Sequence, residues 1–78
     1  MKSVIEFFGW YGASAIVTAY FLVSFSIIEP ANLWYQILNL TGALGIVAVS
    51  LYKGAYQPAL LNIVWTIVAF AAIVRLLL

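Results

Sequence analysis

The chain has 78 residues, 68% of them hydrophobic and 6% charged, with a net charge of +1. A soluble domain carries about a quarter charged residues, and five charges (Lys2, Glu6, Glu29, Lys53 and Arg75) cannot dress one, so most of this surface must meet lipid. Cysteine and histidine are both absent, which excludes disulfides, thiolate metal sites and cysteine nucleophiles, and removes the commonest metal ligand and the usual general base.

The charges divide the chain into three uncharged runs, residues 7–28, 30–52 and 54–74. A helix needs roughly 20 apolar residues to cross a ~30 Å hydrocarbon core, so each run suffices for one crossing and none for two. The first run predicts a helix over about 4–28, with Phe7, Phe8, Trp10 and Tyr11 at a membrane–water boundary, where aromatic rings concentrate. A cleaved signal peptide is its rival: Lys2 supplies a basic start, and Ala13-Ser14-Ala15 has the small-residue pattern of a cleavage site. The apolar run continues far past Ala15 and Glu6 interrupts the basic end, so a retained span is expected.

The second run predicts a helix over about 31–52. Pro30 is expected in its first turn, where a missing N–H costs nothing, and Gly54 just past its end is a stop signal. Trp34 and Tyr35 mark the opposite boundary from Tyr52 and Tyr56. The third helix is expected over about 58–77, opened by Pro58. With loops of only about 26–31 and 53–57, neighbouring helices must run antiparallel. The expected fold is thus all-α: one transmembrane domain, residues 1–78, as an antiparallel bundle of three transmembrane helices.

Lys2 and Lys53 fall on one side and Arg75 on the other, so the positive-inside rule favours a cytoplasmic N-terminus. The margin is two side chains against one, which leaves dual topology open. The three basic residues are scattered, so no nucleic-acid partner is expected.

Antiparallel registers place Asn62 level with Ala48 and with Gly12 or Ala13, and Trp65 level with Gly45 and Ala15. Asn39, Gly42, Gly45 and Ala48 recur every three residues as a small and polar stripe, of the kind that lets helices approach closely in lipid. Gly12, Gly42, Gly45 and Ala48 are the expected packing residues. Asn39 falls near Tyr20 and Phe21. Asparagines within a span serve either as glue between helices or as ligands, and Asn62 with Trp65 three residues on supplies an amide and a flat apolar platform. Asn62, Trp65, Asn39 and Tyr20 are therefore the candidate solute-binding residues, suited to a small neutral polar solute such as a sugar.

Glu6 and Lys53 are expected at one boundary, and Glu29 and Arg75 at the other, each pair within reach of an ion pair. No carboxylate lies deep in a span, which counts against proton coupling through Asp or Glu. Ser14, Ser24, Ser26 and Ser50 have no histidine or deep carboxylate to activate them. No catalytic, metal or cofactor residues are expected, and the chain is not read as an enzyme. Three helices bury few faces, so a homo-oligomer is expected, most simply a dimer. The competing functions are a carrier or facilitator of a small polar solute and an accessory subunit of a larger membrane complex.

The run Tyr35-Gln36…Leu38-Asn39…Gly42-Ala43, then Ser50…Tyr52…Gly54-Ala55-Tyr56…Pro58, then Leu61-Asn62…Trp65…Ile67…Ala69, resembles a family of small bacterial membrane proteins known from a Coxiella hypothetical protein. Gly9-Trp10…Gly12 and Ala19-Tyr20 fit its first helix. The resemblance implies a bacterial inner (plasma) membrane location. A fainter likeness, of architecture alone, is to the SemiSWEET sugar transporters, three-helix protomers that dimerise around asparagine and tryptophan. This chain departs from them: it lacks their Pro-Gln motif in the first helix, and its Asn62 and Trp65 both lie on the third.

Overall fold

The computed structural model describes residues 2–78, which form three helices: α1 (Lys2–Ser24), α2 (Leu33–Tyr52) and α3 (Tyr56–Leu77). Each is long and apolar enough to cross a membrane, and the longest dimension of the molecule, 35 Å, slightly exceeds the ~30 Å hydrocarbon thickness. α2 lies in the middle. α1 and α3 each pack along it and not along each other, so the helices make an open layer rather than a closed bundle.

The helix ends differ from the sequence expectation for local reasons. α1 stops at Ser24, short of residue 28, because Ser26 takes a left-handed φ of 59°. The Ile27 N–H then bonds the Leu22 carbonyl at 2.8 Å, and the Ser26 N–H bonds that of Val23 at 3.0 Å. This is a Schellman stop built on serine. Pro30 lies before α2 rather than within it: Asn32 is the N-cap, its side chain accepting from the Trp34 N–H at 2.8 Å. The Gln36 side-chain amide donates to the Pro30 carbonyl at 3.0 Å, tying the loop to the first turn. α2 ends in the same Schellman geometry as α1, with Gly54 at φ 72° and the Ala55 N–H on the Ser50 carbonyl at 2.8 Å. α3 begins at Tyr56, so Pro58 sits inside its first turn, where no N–H is needed.

The two stops make opposite predictions. A left-handed non-glycine residue costs roughly 1–2 kcal/mol, so Ser26→Gly is expected to raise stability by up to about 1 kcal/mol. A Cβ on Gly54 would meet nothing within 4 Å, so Gly54→Ala is expected to cost about 1 kcal/mol through the backbone alone. Reversible unfolding in mixed detergent micelles would measure both.

Every buried residue is small. Gly12, Ala15 and Ala19 are buried on α1, Gly42, Ala43, Gly45 and Ser50 on α2, and Ala59, Asn62 and Ala69 on α3. Among the described residues no large side chain is fully buried, whereas aromatic and branched aliphatic side chains cover the outside. That inverts a water-soluble core and is the packing used in lipid, where association comes from close backbone approach.

The α1–α2 contact shows the approach directly. A Cβ on Gly12 would stand 2.5 Å from the Gly42 carbonyl oxygen, and one on Gly42 would stand 3.1 Å from the Gly12 oxygen. One on Gly45 would collide with the Phe8 carbonyl. The glycine Cα hydrogens thus face carbonyls across the interface, as in weak Cα–H···O contacts. Gly9 meets Val49, Gly12 meets Gly42 and Ile46, and Gly42 meets Ile16. This puts Gly12 about one turn from the level of Ala48 that the sequence register predicts. Ala48 is half-buried, beside Phe7, Phe8 and Tyr11 along an apolar groove.

Candidate functional site

α2 presents two faces to two neighbours. Successive residues on a helix are about 100° apart, so Gly42 meets α1 while Ala43 faces the space toward α3. Because α1 and α3 do not pack on each other, a groove of about 440 Å³ opens over that side of α2, a size within the range of small-molecule sites. Ile16 and Tyr20 form one wall. Trp65, Val68 and Ala69 form the other, Tyr35, Gln36, Asn39 and Ala43 the floor, and Pro30 the end.

The groove is uncharged and amphipathic. Tyr20 and Tyr35 offer hydroxyls, Asn39 an amide and Trp65 an indole N–H, each beside an apolar ring or methylene surface. Among the described residues none of these four polar groups has a hydrogen-bond partner within the chain. Tyr20 and Trp65 are 72% and 55% exposed, and Asn39 is half-buried. The fifth polar side chain, Gln36, is already engaged with Pro30. An amide with no partner costs several kcal/mol in hydrocarbon, so Asn39 calls for something polar beside it.

Of the four candidate solute-binding residues, three come together: Tyr20, Asn39 and Trp65. Asn62 does not line the groove. It is 8% exposed, and its side-chain amide donates at 2.9 Å to the Pro58 carbonyl one turn earlier. The Asn62 backbone carbonyl in turn accepts from the Thr66 hydroxyl at 2.8 Å. Residues three apart are offset by about 60° around a helix. That is enough to put Asn62 on the buried seam of α3, with Ala59 and Ala69, and Trp65 at its edge.

One polar contact went unread in the sequence. The Tyr11 hydroxyl and the Thr41 hydroxyl lie 2.7 Å apart, bridging α1 and α2. Thr41 also donates to the Ile37 carbonyl at 2.9 Å, which makes Tyr11 the donor of the bridge. Tyr11 had the look of a boundary aromatic, but Tyr11 and Thr41 each directly precede a glycine of the close contact, and close backbones bring the flanking side chains together. Such bonds are worth about 0.6 kcal/mol on average in membranes, and up to about 1.7. A double-mutant cycle of Tyr11→Phe and Thr41→Val, read by unfolding in micelles, is expected to return a coupling in that range.

At the far end of the layer from Pro30, Lys53 and Glu6 form an ion pair at 2.8 Å. Glu29 and Arg75 are both exposed and form none among the described residues. Among the described residues, no three of His, Cys, Asp and Glu gather in one place.

Against known proteins, one family model matches, that of the Coxiella hypothetical-protein family, over residues 5–78. No curated protein and no solved structure matches the chain.

Proposed function

As the chain belongs to the Coxiella hypothetical-protein family, we propose that it is a bacterial inner-membrane protein of three antiparallel spans that acts as an oligomeric carrier or facilitator of a small neutral polar solute. What carries the reading is the set of residues on the groove whose polar groups are unpaired among the described residues: Asn39, Tyr20, Tyr35 and Trp65 all line one uncharged surface. Rings flank that surface, so a sugar or polyol would find stacking faces for its C–H side and donors and acceptors for its hydroxyls. No ionised side chain lines the groove, which favours neutral solutes over ions. The protein performs no covalent chemistry in this role. The N-terminus is cytoplasmic, with Lys2 and Lys53 on that side.

The pairing order between α1 and α2 supports the antiparallel arrangement, since rising numbers on α1 meet falling numbers on α2. The lack of contact between α1 and α3 supports oligomerisation, because a single copy leaves the groove between them uncovered. The reading is tested by reconstituting the purified chain into vesicles loaded with radiolabelled glucose or sucrose. Efflux above that of protein-free vesicles is expected for at least one of them, and it is expected to fall in the Asn39→Leu variant. Efflux equal to the protein-free rate for both probes would count against the carrier.

A service as subunit of a larger membrane complex is the second reading. The apolar groove between Phe7, Phe8 and Tyr11 on α1 and Leu44 and Ala48 on α2 favours it, since a further helix would seat there. Crosslinking in native membranes followed by mass spectrometry would show a stoichiometric foreign partner.

A further inference from the structure

The groove reaches one end of the layer at Pro30, and the residue before Pro30 is Glu29. The C-terminal half of α3 runs along the same end of α2, since Trp65, Val68 and Ala69 share the groove with Tyr35 and Asn39. Arg75 lies about two turns beyond Ala69 toward that end. An acidic and a basic side chain thus flank the mouth of the groove, both exposed and unpaired among the described residues. At the opposite end the corresponding pair, Glu6 and Lys53, is joined within the chain. At that end the acid is satisfied and only the base Lys2 is left over, whereas the other end leaves one charge of each sign.

We propose that a second copy of the chain covers the groove, with Glu29 of each copy paired to Arg75 of the other. The proposal rests on the reading of the chain as a membrane protein with a solute groove, and it names what closes that groove. A two-fold relation makes the contact self-complementary, so one acid and one base per chain give two ion pairs per dimer. Arginine suits the position: its long stem lies along apolar surface while the guanidinium reaches the boundary. The geometry also fixes orientation. Glu29 and Arg75 occupy the same end of the molecule, so reciprocal pairing requires both copies to point the same way. An inverted partner would bring Lys2 there but no free carboxylate, since Glu6 is already held by Lys53, so Arg75 would stay unpaired. The dimer is therefore parallel, and dual topology is excluded within it.

The absence of native cysteine makes the test direct. Two differently tagged chains, one carrying Glu29→Cys and the other Arg75→Cys, are coexpressed, and native membranes are oxidised. A disulfide between them can form only between copies. A doubly tagged species is expected for this combination and not for Glu29→Cys with Lys53→Cys, which reports an inverted partner. Formation of the second species in place of the first, or of neither while both cysteines react with maleimide, overturns the proposal. In a cysteine-free background, Glu29→Arg is expected to raise the dissociation constant of the dimer about tenfold or more. Combining it with Arg75→Glu is expected to restore that constant to within about threefold. No recovery in the double variant overturns the pairing, as it would if Arg75 served only lipid phosphates. Sugar efflux is followed in the same variants. Asn39-dependent efflux without the crosslink rejects this interface and leaves the carrier standing, whereas the crosslink without efflux does the reverse.

Discussion

Alanine at Gly12 or Gly45 is expected to destabilise the fold by about 1–3 kcal/mol, the range for atoms forced into a filled interface. At both positions the new Cβ meets a backbone carbonyl, of Gly42 and of Phe8 respectively. A carbonyl held in a helix cannot rotate aside, so α1 and α2 must separate. Separation weakens every contact along that interface, including the Tyr11–Thr41 bridge. Gly42→Ala is expected to cost less, because its nearest obstacle is the Ile16 side chain at 2.9 Å, with the Gly12 oxygen at 3.1 Å. At Gly9 the nearest atoms to the Cβ would be those of the Val49 side chain, at 3.1–3.2 Å. There the helix propensity of alanine, about 1 kcal/mol better than glycine in water, offsets a mild clash, and the change is expected to be close to neutral. Reversible unfolding of the four variants in mixed micelles gives the order. An equal cost at all four sites would show that helix stiffness, and not backbone approach, governs glycine usage here.

The helix boundaries and the packing faces differ in how far the sequence disclosed them. Three spans were legible because charge cannot enter hydrocarbon cheaply, so the positions of Glu29 and Lys53 had to be boundaries. The stop at Gly54 was legible because glycine is the common residue at φ > 0. The stop at Ser26 was not, because serine there pays a conformational cost that no pattern announces. Pro30 suggested a first-turn residue, but the Asn32 cap lies two residues later, and Pro30 serves as the acceptor for Gln36 instead. The stripe of small residues on α2 marked a packing face without saying that Gly42 and Gly45 turn to α1. The open layer was out of reach altogether. Whether α1 and α3 touch depends on the angle between two contact faces of α2, and no single residue encodes that angle.

The groove itself was half legible. Register alone placed Asn39 beside Tyr20, and Trp65 was singled out for its chemistry, yet Asn62 was joined to Trp65 on the strength of an (i, i+3) spacing. The structure separates the two asparagines by what each amide already holds, and this yields the sharpest functional contrast in the chain. Asn39→Leu removes a half-buried amide with no partner among the described residues, so stability is expected to stay the same or rise. A bound solute loses its ligand. Leaving a buried polar partner unmatched costs about 1–3 kcal/mol, which is roughly five- to 150-fold in affinity. Asn62→Leu has the opposite signature. It removes a side chain bonded to the Pro58 carbonyl and places a larger, branched one on the close-packed seam of α3, so stability falls by about 1–3 kcal/mol. The affinity of the folded fraction is expected to be unchanged. Trp65→Ala adds a third signature: its ring is more than half exposed, so its loss is expected to weaken sugar binding with little change in unfolding. Equilibrium binding of radiolabelled glucose and sucrose to the chain in lipid nanodiscs, set against unfolding of the same variants in micelles, separates the three. Loss of affinity in Asn62→Leu with none in Asn39→Leu would move the site off the groove and onto the buried face of α3.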